Sequence, residues 1–357
     1  MEQVYNHTQD KPSYHADVLK AKAPDIKDKA QAVSSTADSH SRTELTAIRE
    51  TDIQGDSKKG SQLQNKANQL KRETTNLYTA ADAIVTEAAL PTSPLNPLRD
   101  DAEKLRDAAK KDPGDTTGLY GAAQLATHPT GTGGLDGKAK DVINKFELVA
   151  SAYGALMASA KVIQKETDPK VTAVDTAYKD LKGIYDRMLN LTKLHKAAND
   201  LQQAASTLPA LSGPAGTLAQ AVKTLRDNAV PGNNYENAQT VIQNFEKVET
   251  AYSQLPEAET ASVKDKFEAL KTVYNSILNF AKIKYYSTQL ATAAEQLSNS
   301  GVNPEEVITN FNAVATAYKQ LGETEQKHVQ SQFDDLQIEY SRAIYFYKWH
   351  FITLLPS

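Results

Sequence analysis

One fifteen-residue stretch, Val241 to Leu255 (VIQNFEKVETAYSQL), recurs twice more in recognisable form, and that recurrence restricts the fold more than any other feature of the chain. Val142, Ile143, Phe146, Val149, Ala152, Tyr153 and Leu156 match Val241, Ile242, Phe245, Val248, Ala251, Tyr252 and Leu255. These in turn match Val307, Ile308, Phe311, Val314, Ala317, Tyr318 and Leu321. Steps of three and four place each set on one face of a helix. Each copy leads into a second shared pattern. Val174, Tyr178, Leu181, Ile184, Tyr185 and Leu189 match Val263, Phe267, Leu270, Val273, Tyr274 and Leu278, and the third copy reads Val329, Phe333, Leu336, Glu339, Tyr340 and Ile344. Leu191, Lys193 and Leu194 then correspond to Phe280, Lys282 and Ile283. Phe346, Lys348 and Trp349 begin the same passage before the third copy stops short.

From Val142 to Val241 is 99 positions and from Val241 to Val307 is 66, so the first unit carries insertions. One is read as extra helical turns through Met157 to Glu166, the other as an extra helix from Gly216 to Ala229. That helix contains Leu225-Arg226-Asp227, and a similar Leu105-Arg106-Asp107 follows a stripe running from Leu63 to Leu90, which marks a degenerate half unit at the start. Pro91, Pro94, Pro97, Pro113, Pro129, Pro169, Pro209, Pro214, Pro231, Pro256 and Pro304 are read as lying between periodic segments, where proline does not interrupt a hydrogen-bond ladder. A helical hairpin that cannot bury its stripe alone packs on its neighbours. The expected fold is all-α: an array of antiparallel helical hairpins or small bundles in about three subdomains, with a disordered N-terminal arm. The boundaries are a polar arm over 1–60, a half unit over 61–130, repeat units over 138–235 and 236–302, and a truncated unit over 303–357. The arm is expected to be mobile because its Lys, Asp, Ser, Thr and Gln bury too little apolar surface to offset the entropy of ordering. The glycine-rich Thr127 to Lys138 is read as a linker, since it lacks the glycine, hydroxyl and preceding strand of a phosphate loop.

Composition narrows the function classes. There is no cysteine, which removes disulfides, thiolate metal sites and cysteine catalysis. A formal net charge of -4 with both signs interspersed provides no basic footprint for nucleic acid. No apolar run is long enough to span a membrane. The seven histidines include no two standing three to five residues apart, the spacing of a helical metal pair, so no metal or other cofactor is expected. Carboxylates alternate with lysines as on a solvated face, and the expectation is that the chain is not an enzyme. Most repeat-position tyrosines read as core residues with the hydroxyl at the rim. Tyr285 and Tyr286 stand where the first copy has no tyrosine and are contact candidates, as are Tyr345 and Trp349 on the apolar last helix. Asn6-His7-Thr8 and Asn190-Leu191-Thr192 are glycosylation triplets, the second on a helix expected to be packed.

A cysteine-free, Ala- and Thr-rich helical chain with a polar arm and the FEKVETAYSQL and FNAVATAYKQL units resembles the glycosylphosphatidylinositol-anchored merozoite surface antigens of Babesia, of the Babesia divergens type, from about residue 61 onward. The resemblance implies a parasite surface antigen that contacts the host erythrocyte surface and is bound by antibodies, while the aromatic last helix, with Trp349 and Tyr345, is read separately as a patch for self-association or for a host membrane protein. The resemblance carries over no binding residues, and it places the full-length protein at the cell surface on a lipid anchor. No leader or anchor signal stands in this sequence, a departure from the family attributed to trimming of its ends. The alternatives from other classes are an intracellular (cytoplasmic) helical scaffold and an amphipathic-helix carrier of lipid or another apolar ligand.

Overall fold

The structure, a computed structural model, describes residues 11–52, 61–110, 117–126, 134–227, 235–300 and 304–352. Among the described residues there are fourteen α-helices and no strand. In chain order they are α1 (Lys11–Glu50), α2 (Ser61–Ala88), α3 (Arg99–Ala109), α4 (Leu119–Ala126), α5 (Gly134–Val162), α6 (Pro169–Asp186), α7 (Asn190–Ala204), α8 (Pro209–Asp227), α9 (Tyr235–Ser253), α10 (Glu257–Asn275), α11 (Asn279–Ser300), α12 (Pro304–Gln320), α13 (Glu323–Gln326) and α14 (Gln330–Ile352). Proline opens several of them for the reason the sequence gives. Pro169 starts α6 behind Asp168, whose carboxylate accepts the Lys170 amide at 3.0 Å. Pro214 departs from the expected pattern, because α8 begins at Pro209 and contains it. Near the start of a helix a proline removes one donor from the ladder and leaves the remainder intact.

The repeat appears as antiparallel hairpins joined by stacked rings. Phe146 of α5 lies on Tyr185 of α6 with centroids 3.6 Å apart, and Tyr153 lies on Tyr178 at 3.7 Å. A seven-residue advance along α5 thus meets a seven-residue retreat along α6. Phe311 with Tyr340 (3.6 Å) and Tyr318 with Phe333 (4.0 Å) repeat the two rungs between α12 and α14. Tyr252 on Phe267 (3.7 Å) supplies the same rung between α9 and α10. The extra turns expected through Met157 to Glu166 are present only in part, since α5 continues to Val162 and the chain leaves the helix before Glu166. The linker read as Thr127 to Lys138 is shorter than expected. Helix α5 already begins at Gly134, and residues 127–133 lie outside the described ones.

The chain forms two compact units that do not follow the repeat boundaries: Met1–Leu45, Pro231–Gln243 and Tyr274–Ser357 make the first, Thr46–Val230 and Asn244–Val273 the second. Residues 236–302, one repeat by sequence, contribute to both. In the second unit, Leu70, Leu77 and Ile84 of α2 share a core with Leu105 of α3, Phe146 and Leu156 of α5, and Val174 and Leu181 of α6.

The first unit corrects the extent of the arm expected over residues 1–60. Residues 11–50 are one helix, and Leu19, Ala23, Ile26, Ala30, Val33 and Ala37 are buried in a core with Ile283, Leu290 and Leu297 of α11. Residues 1–10 and 53–60 lie outside the described ones. The arm was misread because half of its stripe is alanine. Leu19, Ile26 and Val33 recur every seven residues, and Ala23, Ala30 and Ala37 fill the intervening positions. Such small side chains bury little area each but let the partner helix approach closely, so dispersion contacts and local hydrogen bonds compensate. Lys27 pairs with Glu295 at 2.8 Å, the Ser34 and Thr288 hydroxyls meet at 2.9 Å, and Asp38 pairs with Lys284, an antiparallel register along α11.

Candidate functional site

Buried and half-buried charges meet at two helix junctions that occupy equivalent places in the first two repeats. In the second unit α6 ends at Asp186 and α7 starts at Asn190, with Leu189 at φ 60° between them. A left-handed leucine turns the chain sharply and leaves the first amides of α7 without intrahelical acceptors. Asp52, two residues beyond α1 and 2% exposed, supplies the acceptor. Its carboxylate takes the Leu191 amide at 2.6 Å, the Thr192 amide at 3.0 Å and the Thr192 hydroxyl at 2.5 Å. Burial pushes the Asp52 carboxyl up from the usual range, against the pull of these donors and of the Arg226 charge. Arg226 is itself 2% exposed, and its Nη1 lies 3.5 Å from the Thr192 hydroxyl.

One turn into α7, Lys193 Nζ donates to the Tyr185 carbonyl and sits 3.8 Å from the centre of the Tyr185 ring. The lysine closes the end of α6 and packs its ammonium on the residue whose ring forms the hairpin rung. Burial lowers its amine to about 7, with Asp186 and Asp52 opposing that fall.

The first unit repeats the arrangement with different side chains. Helix α10 ends at Asn275, Leu278 adopts φ 60°, and α11 starts at Asn279. Glu44 of α1 accepts the Asn279, Phe280 and Ala281 amides at 2.5, 3.0 and 3.2 Å. Burial pushes its carboxyl up to about 7 in spite of these bonds and of the Lys282 charge. Lys282, 1% exposed, donates to the Tyr274 carbonyl at 2.6 Å and to Asn279 Oδ1 at 3.3 Å, and lies 4.0 Å from the Tyr274 ring centre. The third copy keeps the eight-residue tyrosine-to-lysine spacing, at Tyr340 and Lys348, but α14 runs through without a break. Ile344 stands at the leucine position there, and a β-branched residue does not adopt the left-handed turn.

These groups cap and orient helices: both carboxylates and both ammoniums are bonded to backbone atoms or to neighbours within the junction. Among the described residues no three His, Asp or Glu side chains converge as metal ligands do. The predicted contact residues fare differently. Tyr285, a contact candidate by sequence, is buried at 8% exposed. Tyr286 is half-buried against the first unit's core, its ring edge-on to Tyr285 at 5.1 Å. On a helix whose Ile283, Tyr285, Ser287 and Leu290 are all buried, adjacent positions reach the interior from two sides. The side chains of Tyr345 and Trp349 lie outside the described residues. The Asn190-Leu191-Thr192 triplet is a structural element, because Thr192 is fully buried and its hydroxyl is bonded to Asp52.

Sequence reasoning missed Glu44 and Asp52 entirely. The recurrent tyrosine-to-lysine spacing was a usable sign of the junctions, but nothing in it points to carboxylates so far away along the chain.

A family profile described as Seven Residue Repeat matches residues 144–157, 169–182, 243–256 and 309–322. Three of these segments lie on α5, α9 and α12 in the register of the repeat, and the fourth lies on α6. Comparison with curated proteins and with solved structures yields no match.

Proposed function

We propose that this helical-repeat protein is a binding rather than a catalytic molecule: a parasite cell-surface antigen and adhesin that contacts a protein of the host erythrocyte surface and is recognised by antibodies. The supporting observation is how little helix surface the hairpins use to fold. Between Glu257 and Val273 of α10 only Val263, Phe267 and Leu270 are buried, and Lys264, Asp265, Lys266, Glu268 and Thr272 face outward. On α14 up to Ala343 the buried positions are Phe333, Leu336 and Ala343. A helix held by one stripe leaves its other faces free to contact a partner, and to change sequence, at little cost to the fold. Junction charges satisfied inside the protein fit the same reading, since they serve geometry. No helix among the described residues is long and apolar enough to cross a membrane.

The test is binding of labelled full chain to intact erythrocytes. Saturable binding, competed by unlabelled protein and reduced by Lys264→Glu with Lys266→Glu at unchanged helicity, is expected. Binding no greater than that of an unrelated helical protein would reject the adhesin reading. Tyr345 and Trp349 remain proposed anchors on sequence grounds, and Trp349→Ser should lower binding without loss of thermal stability.

A further inference from the structure

The histidines form no metal-spaced pair along the chain, yet the first unit brings two of them together from positions 40 and 328. His40 of α1 and His328, in the turn between α13 and α14, have ring centroids 4.4 Å apart and planes inclined by 29°. Phe280 of α11 lies beneath them, 5.1 Å from the His40 ring and 6.4 Å from the His328 ring, and gives the pair an apolar floor. His328 is exposed and His40 half-buried, so the pair opens to solvent on one side. Among the described residues no hydrogen bond engages either imidazole, whereas the charged groups of the nearby junction are all engaged. Glu44, one turn along α1, is bonded to three amides of α11, Lys282 to the Tyr274 carbonyl, and Asp38 to Arg42 and Lys284.

We propose that His40 and His328 form a chelating site for a divalent late first-row transition-metal ion, with water completing the coordination. Imidazole is a preferred ligand of nickel, copper and zinc ions. Two imidazole nitrogens in neighbouring positions on one ion, each about 2.0–2.1 Å from it, bring their ring centres roughly 4–5 Å apart, close to the spacing already present. The exposed His328 side chain supplies the rotation that aims both nitrogens at one point. An imidazole binds such an ion through its neutral form, so occupancy should fall as pH falls. Metal would tie α1 to the turn before α14, two segments of the first unit that are remote in sequence.

The experiment is calorimetric titration of the full chain with Ni2+ at pH 7.5, using wild type, His328→Gln, His40→Gln, and the controls His15→Gln and His350→Gln. One site per chain is expected, with affinity falling tenfold or more in His328→Gln and in His40→Gln and unchanged in the controls. Ni2+ should also raise the melting temperature of wild type but of neither pair variant. Because His328 is exposed, its replacement leaves the fold intact even if that of His40 does not. Unchanged Ni2+ affinity in His328→Gln, or an equal loss in a control, would overturn the proposal.

Discussion

The junction before α7 and the junction before α11 reach one backbone solution with different chemistry. Both place a leucine in the left-handed region, both start a helix at asparagine, and both close the preceding helix with a lysine over a tyrosine ring. At α7 the short Asp52 side chain takes two amides and a hydroxyl, and the Arg226 guanidinium stands close by. At α11 the longer Glu44 takes three amides, Ala281 offers no hydroxyl, and Lys282 is the nearby cation. What repeats is therefore the shape of the break and its need for an acceptor, while the acceptor itself is free to differ. The third copy marks the limit: with Ile344 and Tyr345 in place of leucine and asparagine, the helix continues and no break arises.

The largest effect should come from Asp52→Ala, which leaves two amides and the Thr192 hydroxyl without their acceptor and removes one of the two carboxylates near the buried Arg226, whose other partner is Asp227. A loss of about 3–5 kcal/mol is expected, read as reduced amide-exchange protection in α7. Glu44→Ala strands amides but no arginine, so α11 should lose less, about 2–3 kcal/mol. Equal losses would show that Arg226 adds nothing to the contrast.

The pH response should separate the two sites further. Glu44 is raised from 4.5 to about 7, so the folded state binds the extra proton, and the associated stability is present below about pH 4.5 and lost as pH rises through 7. Lys193 is lowered from 10.5 to about 7, so its contribution is present above about pH 10.5 and lost as pH falls through 7. Protection factors at the start of α11 should accordingly fall between pH 5 and 7.5, and those of α7 should rise between pH 7.5 and 10. A slope at α11 that persists in Glu44→Gln would assign the titration to another group. The smallest expected effect is that of Thr192→Val, about 1 kcal/mol at α7, with the reciprocal Ala281→Thr giving no gain at α11 because the three amides already occupy Glu44. Thermal melts with exchange mapping check both.

The hairpins were legible because their information is local. Phe146 and Tyr153, or Phe311 and Tyr318, stand seven residues apart beside partners seven apart, and large rings announce their burial wherever they recur. The stripe of α1 was not legible, since Ala23, Ala30 and Ala37 are equally at home on an exposed helix and Leu19, Ile26 and Val33 are sparse among polar neighbours. Tyr285 shows the opposite limit: the repeat does not require a ring at that position, yet α11 is buried on more than one side and encloses it.

The sequence alone determined the helical class and the hairpin register, because helix period and ring position act over a few residues. Only the tertiary structure decided that Asp52 meets Thr192, that Glu44 meets Asn279 and that His40 meets His328. Those meetings depend on the close approach of helices remote along the chain, and small side chains permit such an approach with many partners without specifying one.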